Sequence, residues 1–150
     1  DKGKTPGGGT TVETIGNALV SLPYGLAAML VYGELTLDQF EDSKIRNPVV
    51  QALLKKVEIL VDPEIDKLPP TQRYRATVDV ELNDGKTYRQ FCPAPKGDPT
   101  NRLTADELRV KFMRNTRTLA ASQMNELYEL LQDIPSLDDV RSIPGMLLKR

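Results

Sequence analysis

A long, mostly apolar stretch without charged residues covers residues 19–32, with the sequence LVSLPYGLAAMLVY. Most of its positions are apolar, which is typical of a helix that is buried on several sides. Pro23 suits the first turn of a helix, where the missing N–H of proline is not needed. Gly33 suits the position that ends a helix, because glycine adopts the left-handed conformation without strain. The pattern therefore predicts a central helix over residues 23–32.

The sequence SLPYG at residues 21–25 is unfavourable inside a helix, since glycine costs about 1 kcal/mol relative to alanine there. It places Ser21 and Tyr24 at the helix N-terminus, where backbone N–H groups and the helix dipole favour an anion. Two interpretations of Tyr24 remain open. An aromatic residue on an apolar helix normally belongs to the core, but this one follows a proline at a helix start. We expect its ring to rest on the helix and its hydroxyl to lie at or near the surface.

Capping residues and apolar spacing predict further helices in the first half of the chain. They cover residues 12–20, capped by Thr10 or Thr11, residues 37–41 after Thr36, and residues 48–56 after Asn47. Residues 58–61 form a candidate strand. Residues 63–72, which contain three prolines, are expected to be a loop.

The clearest strand pattern covers residues 73–82, where apolar and polar residues alternate. We expect one face of this strand to be buried and the other to be solvated. The sequence Asn-Asp-Gly at residues 83–85 predicts a hairpin turn, either a type I turn with a left-handed Gly85 or a two-residue Asp-Gly turn. Residues 86–92 return as the antiparallel partner strand. The face taken by Tyr88 depends on the turn, because a shift of one residue exchanges the two faces.

The last third of the chain is again helical in pattern. Thr104 and Glu107 form a capping box at the start of one helix, with Leu108 and Phe112 as its core candidates. A second helix covers residues 122–132, and Ser136 is a candidate cap for a third. The predicted fold is therefore α+β, with helices at both ends around a small antiparallel sheet. Residues 1–9 are expected to be a flexible, glycine-rich lead-in, and residues 10–150 a single domain.

Composition restricts the classes of function. Apolar residues make up 39% and charged residues 27% of the chain, with a net charge of −1, so no nucleic-acid or membrane partner is indicated. Cys92 is the only cysteine, which excludes a disulfide within the chain and suggests a reducing, cytoplasmic compartment. The chain contains no histidine, the usual general base near neutral pH. A self-contained hydrolase or metalloenzyme is therefore disfavoured.

Several smaller motifs each have a structural and a functional interpretation. Lys96, in a Pro- and Gly-rich turn, is either a solvated lysine or a contact for an anionic ligand. The adjacent Asp138 and Asp139 are interpreted as first-turn helix charges rather than a paired-carboxylate site. Cys92 is expected to be a small core residue rather than a nucleophile. The glycines at residues 7–9 lack the Gly-Lys-Ser/Thr of a phosphate-binding loop, so they are interpreted as a linker.

Several of these stretches, taken in order, resemble a known family. They are SLPYGLAAMLVYG at residues 21–33, Phe40, the Asn47-Pro48 helix start, VDPE at residues 61–64, the turn at residues 83–85, PKGDP at residues 95–99, and the segment from Leu103 to Phe112. The set is similar to the C-terminal part of the MmgE/PrpD family, which includes 2-methylcitrate dehydratase and cis-aconitate decarboxylase. The similarity runs from about residue 10 to residue 112.

The resemblance implies a two-domain enzyme, in which this chain is the smaller, lid-like α+β domain and a larger helical domain of the same polypeptide is the partner. Such enzymes act on small di- or tricarboxylates without a metal, by proton abstraction that leads to dehydration, decarboxylation or epimerisation, and no cofactor is expected. The tyrosine at the position of Tyr24 lies on the substrate side in this family, and the histidines lie in the helical domain.

The hypothesis is therefore half of an active site, with Tyr24 as the catalytic residue and Ser21, Lys4 and Lys96 as contacts for a substrate carboxylate. The chain alone is expected to be inactive. Its assembly, including a homodimer, is left open. The alternative hypothesis is a non-catalytic α+β interaction module that docks through its apolar helix.

Overall fold

A computed structural model of the chain describes residues 11–137 and 139–148. Lys4, Thr10, Asp138 and the lead-in at residues 1–9 lie outside the described residues. The described chain forms two compact units, one that extends to Lys67 and one that begins at Leu68. Helices occur in both units, and the second unit contains a two-stranded antiparallel sheet, which confirms the α+β prediction.

The central helix of the first unit, α2, covers Leu22–Tyr32 and confirms the helix predicted for residues 23–32. Ser21 caps it, since its side-chain oxygen accepts a hydrogen bond from the Tyr24 N–H at 3.2 Å. Pro23 lies in the first turn, where no intrahelical N–H is required. The helix ends at Gly33, whose φ of 76° is the left-handed conformation that glycine adopts without strain.

The preceding helix, α1, covers only Ile15–Leu19, so the prediction of a helix from residue 12 is wrong at its N-terminal end. Thr14, rather than Thr10 or Thr11, is the capping residue, and its side chain accepts a hydrogen bond from the Asn17 N–H at 3.2 Å. Val12 precedes the helix and is nevertheless buried. Because the capping threonine lies later in the chain than predicted, the helix is shorter, and Val12 packs into the core from the non-helical segment before it.

The remaining helical segments of the first unit are short. They are a 3₁₀ helix at Leu37–Phe40, α3 at Asp42–Ile45, α4 at Pro48–Leu54 and α5 at Pro63–Asp66. Thr36 and Asn47 cap the first and third of these, as expected. The strand predicted for residues 58–61 is wrong, because these residues form no ladder and Leu60 and Val61 are exposed. The loop predicted for residues 63–72 contains α5 and a 3₁₀ helix at Pro70–Gln72, whose prolines occupy helix starts.

The core of the first unit lies between α2 and α4. It consists of Val12, Ala18, Tyr24, Ala27, Ala28, Ile45, Val50 and Leu54. Burying a large apolar side chain stabilises a fold by about 1.5–3 kcal/mol, so these contacts dominate the stability of the unit. The side chain of Gln51 adds two hydrogen bonds, since its Nε2 donates to the carbonyl oxygens of Val12 at 2.9 Å and Ile45 at 2.7 Å.

The sheet of the second unit pairs β1, Ala76–Glu81, with β2, Thr87–Cys92, as the hairpin pattern predicts. The Gly85 N–H donates to the Leu82 carbonyl at 3.0 Å, and Gly85 has a φ of 82°. A two-residue Asp-Gly turn of type I′ would need a positive φ at Asp84, and no described non-glycine residue has one. The turn is therefore the type I alternative with a left-handed glycine. Val80 pairs with Tyr88, which places Tyr88 on the same face as Val80.

The prediction that one face of this hairpin is buried is wrong. Val78 and Val80 are only half-buried, and every residue of β2 is exposed. Cys92 is likewise exposed rather than part of the core. Alternation identifies which residues share a face, but burial requires another element to cover that face, and the described residues cover Val78 and Val80 only in part.

Two longer helices follow the hairpin, α6 at Ala105–Asn115 and α7 at Ala121–Gln132. Thr104 and Glu107 form the expected capping box. Phe112 packs against Tyr128 with ring centroids 5.3 Å apart, but the core candidate Leu108 is exposed. A 3₁₀ helix at Ile134–Ser136 includes Ser136 instead of starting after it, and α8 covers Ser142–Leu148. No helix in the described part of the chain is long and apolar enough to cross a membrane.

Candidate functional site

Ser21 and Tyr24 come together at the start of α2, as the sequence predicts. The Tyr24 N–H donates to the Ser21 side chain, and the Gly25 N–H donates to the Ser21 carbonyl at 3.0 Å. Pro23 has no N–H to offer. The donors of this first turn are therefore largely used within the helix itself. This finding weakens the expectation that the helix start alone would hold an anion, because binding there depends on free N–H groups.

The expectation that the Tyr24 hydroxyl lies at the surface is wrong. Tyr24 is fully buried, and its ring lies 5.8 Å from the ring of Phe40, centroid to centroid. Its hydroxyl donates a hydrogen bond to the backbone carbonyl of Gln39. The 3₁₀ helix Leu37–Phe40 contacts the tyrosine at this point, which periodicity within α2 does not reveal.

The environment of Tyr24 also fixes its protonation state. Burial raises the pKa of the phenol above its usual value of 10.0, and the neighbouring Tyr32 raises it further. Tyr24 is therefore protonated throughout the neutral range. In this state it can donate a hydrogen bond, whereas abstracting a proton would require the phenolate form.

Gln39 is a residue of this region that the pattern of the sequence did not single out. Its side chain is buried, and its Oε1 accepts hydrogen bonds from the Thr36 N–H at 2.8 Å and the Thr36 hydroxyl at 2.9 Å. These bonds hold the turn whose carbonyl binds Tyr24. The signal was present in the sequence, since Thr36-x-x-Gln39 has the spacing of a capping box.

Lys96 belongs to the second unit and is exposed. Its Nζ lies 2.9 Å from the Glu107 carboxylate, which also accepts a hydrogen bond from the Thr104 N–H at 2.7 Å. The Thr104 N–H, followed by Lys96, holds the pKa of Glu107 below its usual value. Lys96 thus has a protein partner at the start of α6. An exposed ion pair of this kind contributes little to stability, so a ligand carboxylate can compete for the lysine.

The four candidate residues lie in different parts of the chain. Ser21 and Tyr24 are in direct contact, Lys96 lies in the other unit, and Lys4 lies outside the described residues. Within residues 11–137 and 139–148, no group of three or more Cys, Asp or Glu side chains is arranged to hold a metal ion. The candidate functional groups at the start of α2 are the buried, protonated phenol of Tyr24 and the capping side chain of Ser21. The chain supplies no histidine that could act as a base there.

These features define a helix-rich protein of the α+β class. A model of the MmgE/PrpD C-terminal domain matches residues 3–134. The chain belongs to this family. The match extends beyond the segment in which the sequence motifs were recognised, both towards the N-terminus and through α7.

Three relatives support this assignment. The chain is 39% identical over 124 residues to the cis-aconitate decarboxylase-like protein oryM of Aspergillus oryzae, covering 81% of this chain and 24% of that protein. It is 28% identical over 128 residues to the human cis-aconitate decarboxylase and 26% identical over 128 residues to the mouse one, covering 85% of this chain and 26% of each relative. The chain therefore spans about a quarter of the length of these relatives.

Proposed function

We propose that this chain is the part of an MmgE/PrpD-type enzyme that completes a pocket for a small di- or tricarboxylate. Among dehydration, decarboxylation and epimerisation, the reaction we propose first is decarboxylation of cis-aconitate. The observation that carries the proposal is the family match together with the names of the relatives, all of which refer to cis-aconitate decarboxylase. The missing histidine supports a base supplied by another part of the polypeptide.

In this proposal Tyr24 is the catalytic residue of the chain, and Ser21, Lys4 and Lys96 bind substrate carboxylates. The Tyr24 hydroxyl acts as a neutral donor, in keeping with its raised pKa. To reach substrate it must exchange the Gln39 carbonyl for a substrate oxygen, so the role requires the turn at Leu37–Phe40 to shift. Lys96 exchanges the Glu107 carboxylate for that of the substrate.

The test is turnover of cis-aconitate by a longer polypeptide. This polypeptide contains the present chain together with the additional sequence that its relatives have outside the matched region. We expect carbon dioxide release, and we expect Lys96→Met to raise KM more than it lowers kcat, because a binding lysine acts on both ground and transition states. Lys86→Met is the matched control, since Lys86 also forms an exposed ion pair, with Asp84. If the longer polypeptide turns over no small di- or tricarboxylate, the proposal is contradicted.

The alternative function, a non-catalytic interaction module, is favoured by one observation. Exposed apolar residues on α2, including Leu22, Met29 and Leu30, provide a surface for docking, and Tyr24 already has a hydrogen-bond partner within the chain. The same turnover measurement separates the two functions, because a module of this kind binds its partner without consuming any carboxylate.

A further inference from the structure

Helix α2 has apolar residues on two opposite sides. One side, which includes Pro23, Tyr24, Ala27 and Ala28, is buried in the core of the first unit. The other side carries Leu22, Leu26, Met29 and Leu30, which follow the spacing i, i+4, i+7 and i+8 and therefore form one stripe. Leu26 is half-buried, and the other three are 46–57% exposed. We call these four residues the outer stripe.

A surface helix normally has a polar side towards water, and α2 lacks one. Residues 14–33 contain no Asp, Glu, Lys or Arg. A helix that is apolar all round is typically buried on all sides. A membrane surface does not fit as the covering element, because helices that lie on membranes combine an apolar face with a basic polar face, whereas the second face of α2 is protein core.

We propose that the outer stripe is the docking surface for an apolar segment of the same polypeptide, supplied by the length that the relatives carry beyond the matched region. This inference rests on the proposed function, in which the chain is part of a longer enzyme. The relatives have about three quarters of their length outside the match, since the chain covers 24–26% of them. The additional sequence outside the match would provide a surface, within the same molecule, that covers the outer stripe.

A second copy of this chain fits the outer stripe less well. A stable interface between separate proteins involves roughly 20–30 residues on each side, whereas the stripe has four. A segment of the same polypeptide needs a smaller contact, because covalent linkage gives it an effective concentration on the order of millimolar. The small size of the stripe therefore favours an intramolecular partner.

Met29 reports on this contact, because its thioether is oxidised when it is exposed. We expect peroxide to oxidise Met29 at least about tenfold more slowly in the longer polypeptide than in the 150-residue chain, since oxidation must await local opening. Leu22→Glu should abolish that protection. Val49→Glu is the matched control, because Leu22 and Val49 are both 56% exposed and both lie in a first helical turn with a proline. Glutamate suits both positions, so neither helix is disfavoured.

A photo-crosslinker at Leu30 identifies the segment that covers the stripe without depending on a charged variant. Crosslinks to the additional length of the same polypeptide are the expected result. Equal oxidation of Met29 in both proteins, or crosslinks to a second copy or to residues 68–150, would overturn the inference. Turnover of cis-aconitate is measured on the same sample. Protection without turnover contradicts only the proposed function, and turnover without protection contradicts only the docking surface.

Discussion

The hydroxyl of Tyr24 joins two segments that are 15 residues apart, the start of α2 and the 3₁₀ helix Leu37–Phe40. Local patterns correctly placed Tyr24, together with Ser21, at a helix start. They did not place its hydroxyl, because the partner is a backbone carbonyl that approaches only after the chain has turned at Gly33. The capping box of Thr36 and Gln39 was visible in the sequence, but its contact with Tyr24 was not.

We expect Tyr24→Phe to lower the free energy of unfolding by about 1–3 kcal/mol, because the buried Gln39 carbonyl loses its donor. The ring contact with Phe40 remains. Urea denaturation measures this change, and Tyr74→Phe, whose side chain is exposed, should stay within about 0.5 kcal/mol of the unsubstituted protein. If Tyr24 is also catalytic, kcat/KM per folded molecule in the longer polypeptide falls by about tenfold or more. Unchanged kcat/KM would leave Tyr24 as a core residue only.

Alkaline pH gives a second test of the same hydroxyl. The folded state raises the pKa of Tyr24, so the stability that this group contributes is complete below its unfolded pKa of 10.0 and is lost as the pH rises through the folded pKa. The unsubstituted protein should therefore lose stability above about pH 10 more steeply than Tyr24→Phe does. Denaturation curves of both proteins at neutral and alkaline pH measure the difference. A gap that stays constant up to about pH 11 would contradict the burial of the phenol.

At the scale of elements, helices with strong local signals were predicted well. Ser21, Asn47 and Thr104 each cap the helix that the sequence indicated, because capping depends on residues three or fewer positions away. Prediction of strands and of buried faces failed where they depend on residues far away in the sequence. Residues 58–61 have the composition of a strand but lack a partner strand in the described chain, and the hairpin alternates without a covering layer.

Replacing Gly25 by alanine tests whether this glycine lowers the stability of α2. A Cβ at this position would lie 3.6 Å from Leu35 Cδ2, an ordinary contact, so Gly25→Ala should stabilise the unit by about 0.5–1 kcal/mol. Gly85→Ala is the contrasting variant, because its φ of 82° strains any other residue, and it should lower stability by about 1 kcal/mol. Thermal denaturation measures both. A destabilising Gly25→Ala would show that α2 cannot tolerate a side chain there.

At the scale of the whole molecule, the described chain has a substantial core in its first unit and a sheet that is largely solvated in its second. The family could be recognised from the sequence because its motifs are local and ordered. The share of the relatives' length that this chain spans follows only from the comparison with those relatives, because no motif within the chain encodes it.

We expect the 150-residue chain to turn over no cis-aconitate by itself, because proton abstraction near neutral pH needs a base and the chain has no histidine. A coupled assay of carbon dioxide release, with the longer polypeptide as the positive control, measures this. Robust decarboxylation by the chain alone would show that a carboxylate or lysine within it serves as the base.

The exposure of Cys92 has a practical consequence. It is the only thiol of the chain and lies at the last position of β2, so a maleimide fluorophore would attach at one defined place in the second unit without any engineered substitution. The chain has no tryptophan, which leaves its ultraviolet emission to tyrosine. When a labelled sample is heated, dye emission follows the hairpin of the second unit, while circular dichroism follows the helices of both units. Coincident transitions would mean that the two units melt cooperatively, and a circular dichroism transition that the dye does not report would show that helices melt separately from the hairpin.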